Sequence, residues 1–129
     1  MGNEILVRHC YWTRDINDNE RNNHRNNCQS NCCLQNNCEF TERNKKCAAH
    51  VEDHDGNMYL VSTCINCNSS NPKNSIHPGF VKDHSKRKYF NVSLDYLTNL
   101  NNKSPEWDFY YRKIGKESTE ALWDYFYSK

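Results

Sequence analysis

Two pairs of closely spaced cysteines are the residues best suited to chemistry in this sequence. Cys64 and Cys67 are separated by two residues, so both thiols can face one ion across a tight turn. Cys33 and Cys38 form a looser pair, with four residues between them. A closed, tetrahedral structural zinc site needs four such ligands. The spacing therefore predicts that these four cysteines bind one Zn²⁺ as thiolates.

The other four cysteines leave two interpretations open. They could form a second zinc site, with His9 or His24 as a further ligand, or they could be buried free thiols. They are Cys10, Cys28, Cys32 and Cys47. For all eight cysteines together, a disulfide framework would also use an even number and is the alternative to metal. The N-terminus lacks the apolar region of a signal peptide, which favours an intracellular, reducing compartment.

The segment between the two cysteine pairs has the pattern of a β-hairpin. Residues 48–51 are typical of the end of a first strand, and residues 58–61 of the return strand. Between them, Asp55-Gly56 predicts a two-residue type I′ turn, which needs positive φ at both central positions. After the second cysteine pair, the polar residues 68–71 could cap a short helix.

The segments around this hairpin are mostly polar. Residues 3–14 are typical of a strand or a short buried segment, and residues 15–31 of a polar loop or a weak helix. Residues 72–91 are typical of a loop that contains a run of basic side chains. This run consists of Lys82, Lys86, Arg87 and Lys88. It is either a solvated face or a patch that contacts phosphates.

The C-terminal segment has the clearest helical signals. A capping serine followed by proline, Ser104-Pro105, predicts a helix start. Apolar side chains at helical spacing follow over residues 107–114, and Gly115 ends this helix. A second aromatic helix is expected from residue 118 or 119, and a short helix over residues 95–100.

Composition limits how this chain can fold. Only 36% of the 129 residues are hydrophobic, so a small core is expected to need a metal ion for stability. We expect residues 1–91 to form the zinc module and residues 92–129 an aromatic-rich helical extension, with Trp107 and Trp123 buried against the module. Asparagine is over-used, which is typical of an AT-rich genome. The net charge of +1 gives no global basic field, and no apolar run is long enough for a membrane span.

Residues 33–68 resemble the HNH, or ββα-metal, family of zinc-supported nucleases. The resemblance rests on the Cys33/Cys38 pair, the Ala49-His50-Val51 segment and the Cys64-Ile65-Asn66-Cys67-Asn68 knuckle. It implies two zinc knuckles around a β-hairpin and a helix, as in a treble clef. The expected fold is therefore α+β, a small zinc-stabilised HNH-like ββα module with a C-terminal helical extension.

The resemblance also implies a catalytic site. His50 matches the general base that activates water, and Asn68 matches a late ligand of the catalytic Mg²⁺ or Mn²⁺. Ala49 departs from the family, because a methyl group stands where the first ligand of that ion belongs. Carboxylates within residues 52–55 lie nearby, but at the predicted turn.

Three functions are consistent with this pattern. The first is a catalytically degenerate zinc module that binds nucleic acid. The second is an active metal-dependent endonuclease with His50 as the base. The third is a structural zinc protein, or one that binds a protein partner.

Overall fold

A five-stranded antiparallel sheet forms the centre of the protein. The computed structural model describes residues 3–10, 18–27, 30–69 and 88–128. The sheet has the strand order β4-β1-β2-β3-β5. Its strands are β1 (Glu4–His9), β2 (Lys46–Asp53), β3 (Asn57–Cys64), β4 (Tyr89–Ser93) and β5 (Leu97–Lys103). The helices of the described ranges are α1 (Asp18–Asn27), α2 (Ile65–Ser69), α3 (Pro105–Ile114) and α4 (Lys116–Tyr127). The expectation of a small α+β fold is therefore confirmed.

The predicted hairpin is formed by β2 and β3, but its turn differs from the predicted type. Positive φ occurs at Gly56 (78°) and not at Asp55. The Gly56 N–H donates to the Asp53 carbonyl (3.0 Å), and the Asp53 carboxylate accepts from the N–H groups of Asp55 and Asn57. A β-carbon at position 56 would lie 2.5 Å from the Trp107 ring. Glycine is therefore required both by the backbone and by the packing of this indole.

Each face of the sheet carries its own apolar cluster. Neighbouring residues of a strand point to opposite faces, so odd-numbered β2 residues lie on one face and even-numbered ones on the other. What we call the first face consists of Val7, Ala49, Val51, Tyr59, Val61, Phe90 and Val92. The second face consists of Cys10, Ala48, Met58, Leu60 and Leu100. The second face also carries the polar side chains that hold α1 and α4.

A buried ion pair joins α4 to the second face. Arg8 in β1 lies opposite Glu52 in β2, and both side chains are fully buried. The Glu52 Oε2 atom accepts from Arg8 Nη2 (2.8 Å), Arg8 Nε (3.0 Å) and Trp123 Nε1 (2.6 Å). Tyr127 donates to the Glu52 carbonyl (2.6 Å), and the Arg8 guanidinium lies 5.0 Å from the Phe126 ring centroid. Burial acts to lower the pKa of Arg8, but the adjacent Glu52 carboxylate raises it above its ordinary value, so Arg8 stays charged.

The C-terminal helices agree with most of the sequence signals. Ser104 caps α3 by accepting from the Trp107 N–H (3.3 Å), and Trp107 and Trp123 are buried as expected. The far end of the α3 stripe is not core, since Tyr111 and Ile114 are 47% and 44% exposed. Helix α4 begins at residue 116, two residues before the earlier of the two predicted starts.

Two segments of the sheet lie where other structure was expected. The short helix predicted over residues 95–100 is a 3₁₀ turn at Leu94–Tyr96 followed by β5. β4 begins at residue 89, within the predicted loop, and crosses the expected boundary between residues 91 and 92. Both strands hydrogen-bond to strands of the N-terminal part, β4 to β1 and β5 to β3.

A polar helix is held on the second face by one histidine. His24 of α1 is 1% exposed. Its Nδ1 atom lies 2.6 Å from Thr98 Oγ1, and its Nε2 atom lies 3.1 Å from Ser62 Oγ. The sequence left a polar loop or a weak helix open for residues 15–31, and residues 18–27 of this segment form the helix. None of the helices in the described ranges is both long and apolar enough to cross a membrane.

Candidate metal centre

Three of the four predicted zinc ligands come together at one end of β3. The Sγ atoms of Cys33, Cys64 and Cys67 lie within 4.8 Å of one another. Cys64 is the last residue of β3, and Cys67 lies one turn further on in α2, so the strand-to-helix junction turns both thiols to one side. The Cys67 N–H points at Cys64 Sγ (3.4 Å). This group could hold a metal ion such as zinc, because thiolates are the ligands that zinc sites of this kind use.

Cys33 begins a tight loop, residues 33–38, which we call the metal loop. The Cys33 N–H donates to the Cys38 carbonyl (2.8 Å), and the Asn37 N–H donates to the Cys33 carbonyl (2.7 Å). Asn37 has φ of 61°, a conformation that asparagine tolerates better than most residues. Because Cys32 pairs with Glu39 in an antiparallel bridge, Cys33 and Cys38 lie opposite each other.

The metal loop is fixed to the sheet by its next two residues. The Leu34 N–H donates to the Ser62 carbonyl (3.1 Å), and its side chain packs against the first face. Gln35 Oε1 lies 2.7 Å from Nε2 of the buried His9 in β1. His9, which was considered as a metal ligand, is therefore a support for the loop, and its ring centroid lies 5.7 Å from that of Phe90.

Two asparagine side chains are directed at the thiols. Asn36 Nδ2 donates to Cys67 Sγ (3.1 Å) and lies 3.7 Å from Cys64 Sγ. The side chain of Asn44 also hydrogen-bonds to Cys64, and its oxygen accepts from the Asn66 N–H (3.0 Å). Amide donors around sulfur stabilise its thiolate form and orient it. Sequence reasoning missed both residues, since asparagine is abundant throughout the chain.

The pKa values of the two knuckle thiols move in opposite directions. Burial acts to raise the pKa of Cys64, but the Cys67 backbone N–H and the Asn44 side chain outweigh it and lower this pKa to about 7. Burial and the neighbouring sulfur atoms of Cys64 and Cys33 raise the pKa of Cys67 to about 12. The donors directed at Cys64 therefore favour its thiolate, the form of a cysteine that binds metal.

The predicted fourth ligand does not belong to this close group. Cys38 is exposed, whereas Cys33 and Cys64 are buried. Its position opposite Cys33 puts the two side chains on the same side of the metal loop, because directly opposed residues share a face. Cys38 thus stays a predicted ligand that lies opposite Cys33 across the metal loop.

The predicted second zinc site is not formed by its described cysteines. Cys10 belongs to the cluster on the second face. Cys47 lies opposite Thr63 on the first face, with its Sγ atom 3.7 Å from Thr63 Oγ1. The sheet separates these two thiols, so they cannot share an ion. Cys32 lies in the bridge beside the metal loop, and Cys28 falls outside the described residues.

The two candidate catalytic residues do not form one site. His50 lies in the middle of β2, 4% exposed, opposite Leu60 on the second face. It is four residues along β2 from Lys46, the partner of Cys64, or about 13 Å at the usual rise of a strand. Ala49 is buried in the cluster on the first face. Asn68, partly buried, lies inside α2, and residues 70 and 71 of the predicted cap lie outside the described residues.

Two of the nearby carboxylates make other contacts, and most of the basic run lies outside the described residues. Glu52 is committed to Arg8, and Asp53 to the hairpin turn. Of the predicted nucleic-acid contacts, Lys88 is described and exposed, directly before β4. Lys82, Lys86 and Arg87 lie outside the described residues.

Comparison with known proteins gives no relative for this chain: no family model matches it, and neither does any curated protein or solved structure. The HNH resemblance therefore rests on the motifs alone.

Proposed function

We propose that this protein is a non-catalytic module built on one structural Zn²⁺, and that it binds nucleic acid. The zinc part is carried by one observation, the convergence of Cys33, Cys64 and Cys67 with three N–H donors directed at their sulfur atoms. Cys38, opposite Cys33 across the metal loop, supplies the fourth thiolate in this proposal. A closed set of four thiolates stabilises a fold and leaves no position for substrate.

Metal analysis of the purified protein tests the zinc site. We expect one zinc per chain, and we expect Cys64→Ser to lose the zinc and lower the thermal transition, because metal binding is coupled to folding. Cys32→Ser is the matched control, since Cys32 neighbours the metal loop but lies outside the cluster. A Cys64→Ser protein with unchanged zinc content and melting temperature would exclude the assignment.

Cys38 has its own test. Cys38→Ser leaves three thiolates and an open position for water, so we expect zinc to remain bound but to exchange faster with a chelator. Unchanged zinc release in this variant would show that another residue supplies the fourth ligand.

Nucleic-acid binding is proposed from the exposed cations near the metal centre. Arg43 and Lys45 are exposed in the connection from the metal loop to β2, and the Lys45 carbonyl accepts from the Ile65 N–H at the start of α2 (3.0 Å). A structural zinc would thus fix these cations beside the knuckle. Retention on single- and double-stranded DNA should fall steeply with salt, and a double Arg43→Glu, Lys45→Glu variant should lose it. Absence of retention at low salt would favour a protein-interaction role instead.

The endonuclease hypothesis is the second candidate, and two observations weigh against it. The His50 imidazole is buried under the second face, and the neighbouring Ala49 points to the opposite face. A general base must reach a water molecule beside the ion and the phosphate. We therefore expect no cleavage of supercoiled plasmid with Mg²⁺ or Mn²⁺. Robust cleavage that His50→Ala abolishes would overturn this and make the protein a nuclease.

A further inference from the structure

A cleft lies at the end of the molecule away from the metal centre. It is formed between the hairpin turn, the end of β5 and helices α3 and α4, and its volume is about 460 Å³. Its lining includes Asp55, Lys103, Trp107, Tyr111, Lys116 and Glu120. The cleft lies beside Asn57, the first residue of β3, whereas the metal centre lies at Cys64, the last residue of the same strand. Seven steps along a strand place the two sites about 24 Å apart.

The cleft offers an aromatic surface on a rigid support. Trp107 and Tyr111 are four residues apart on α3, so they lie on one side of the helix. Trp107 is 6% exposed and packs on Gly56, whereas Tyr111 is 47% exposed. The outer ring is therefore accessible while the inner ring holds the helix in place.

Two cations and two carboxylates surround this aromatic surface. Lys103 Nζ donates to the Asp55 carbonyl (2.6 Å) and lies 4.8 Å from the Trp107 ring centroid, which fixes its position at the cleft wall. Lys116 and Glu120 are one turn apart on α4, both exposed. In the described part of the chain, no ion pair or hydrogen bond joins Lys116 to Glu120, so both side chains can contact a ligand.

This combination fits one chemical class of ligand. An exposed ring stacks on a planar base, lysines neutralise a phosphate, and carboxylates accept hydrogen bonds from ribose hydroxyls or exocyclic amines. The volume lies in the range of small-molecule sites. We propose that the cleft binds one nucleotide unit, with its base on Tyr111 and its phosphate between Lys103 and Lys116. The proposal extends the suggested nucleic-acid binding to a second, zinc-independent surface.

Calorimetric titration of the zinc-loaded protein with 5′-AMP, with adenosine and with a short oligoadenylate tests the cleft. We expect AMP to bind more tightly than adenosine, and Tyr111→Ala to weaken AMP binding at least about fivefold, because stacking on one ring is lost. Lys116→Glu should weaken AMP binding and leave adenosine binding nearly unchanged. Zinc content should stay constant in both variants.

Two matched controls locate the effect. Tyr125→Ala removes an exposed tyrosine of α4, and Lys113→Glu reverses an exposed charge of α3; neither residue lines the cleft. Both control variants should bind AMP with the same affinity as the wild-type protein. No heat of AMP binding, or equal loss in the controls and the cleft variants, overturns the proposal.

The oligonucleotide separates this proposal from the proposed function. In one outcome, the wild-type protein and the cleft variants bind the oligonucleotide equally, and AMP does not bind. The cleft assignment then fails, but the proposed nucleic-acid binding survives. If AMP binds in the cleft but no polynucleotide is retained, the proposed function fails and the cleft is a site for free nucleotides.

Discussion

Replacement of Glu52 by glutamine tests how the C-terminal helices are attached to the sheet. Both Arg8 and Glu52 are fully buried, and Glu52 Oε2 receives two N–H groups from Arg8 and one from Trp123. Glutamine keeps the shape and an acceptor oxygen but removes the negative charge. Because the pKa of Arg8 is raised, the guanidinium stays charged and is left in the interior without its counter-ion.

The expected loss of stability follows from this geometry. Removal of one partner from a buried ion pair costs about 3–5 kcal/mol. Because glutamine keeps an acceptor oxygen for the N–H groups, we expect Glu52→Gln to lie near the lower end of this range. Small proteins have a total unfolding free energy of about 5–15 kcal/mol. With a urea m-value of about 2 kcal/mol/M, a loss of about 3 kcal/mol lowers the unfolding midpoint by about 1.5 M.

Urea unfolding followed by circular dichroism measures this change. Glu117→Gln is the control, because Glu117 is an exposed acid in the first turn of α4 and its loss should matter little. A double Arg8→Met, Glu52→Leu variant removes both charges and should be markedly more stable than Glu52→Gln. A Glu52→Gln midpoint within about 0.3 M of the unchanged protein would refute the argument that this charge pair anchors α4.

Three further substitutions test other contacts. Trp107→Ala should cost about 3–5 kcal/mol in urea unfolding, because the indole fills the space above Gly56; unchanged stability with weaker nucleic-acid binding would make Trp107 a binding residue. His24→Ala should cost about 2 kcal/mol, since two buried hydroxyl contacts are lost, and should speed amide exchange in α1; slow exchange in α1 would contradict this. Ala49→Asp should destabilise the protein by several kcal/mol and gain no Mg²⁺ binding, because it buries a carboxylate in the first face; calorimetric Mg²⁺ binding by a folded variant would refute it.

Local signals predicted the elements whose causes lie within a few residues. The Ser104-Pro105 helix start depends on one cap, and the β2–β3 hairpin depends on a short turn and two strand-forming runs. The error in the turn type has a local cause as well. The Asp53 carboxylate accepts hydrogen bonds from the N–H groups of Asp55 and Asn57. In this turn Gly56 has a positive φ and Asp55 does not.

Long-range pairing could not be predicted in the same way. Residues 95–100 have apolar spacing that suits a helix, but from Leu97 onwards the chain pairs with the free edge of β3 as a strand. The same applies to the burial of His24 and of the Arg8–Glu52 pair, which no local pattern in the sequence indicates. Their burial depends on partners more than 35 positions away in the sequence. His24 contacts Ser62, and Arg8 contacts Glu52.

The candidate site shows the same division between local and distant causes. The CxxC spacing correctly brought Cys64 and Cys67 together, and Cys33 joined them, because the metal loop and the β3–α2 junction are both compact turns. Adjacent positions in a strand, however, point to opposite faces. Ala49 and His50 therefore cannot cooperate in one catalytic site once the strand runs to residue 53.

Polar contacts join several elements of this chain, in which 36% of the residues are hydrophobic. At one end of β3, three thiols and two asparagine amides tie the metal loop to α2. On the second face, a buried ion pair holds α4 and a histidine holds α1. Such contacts are directional, so they specify the position of each helix more narrowly than apolar packing would. Removal of the proposed zinc should therefore loosen the metal loop and α2 first, while the cleft beside α3 and α4 keeps its form.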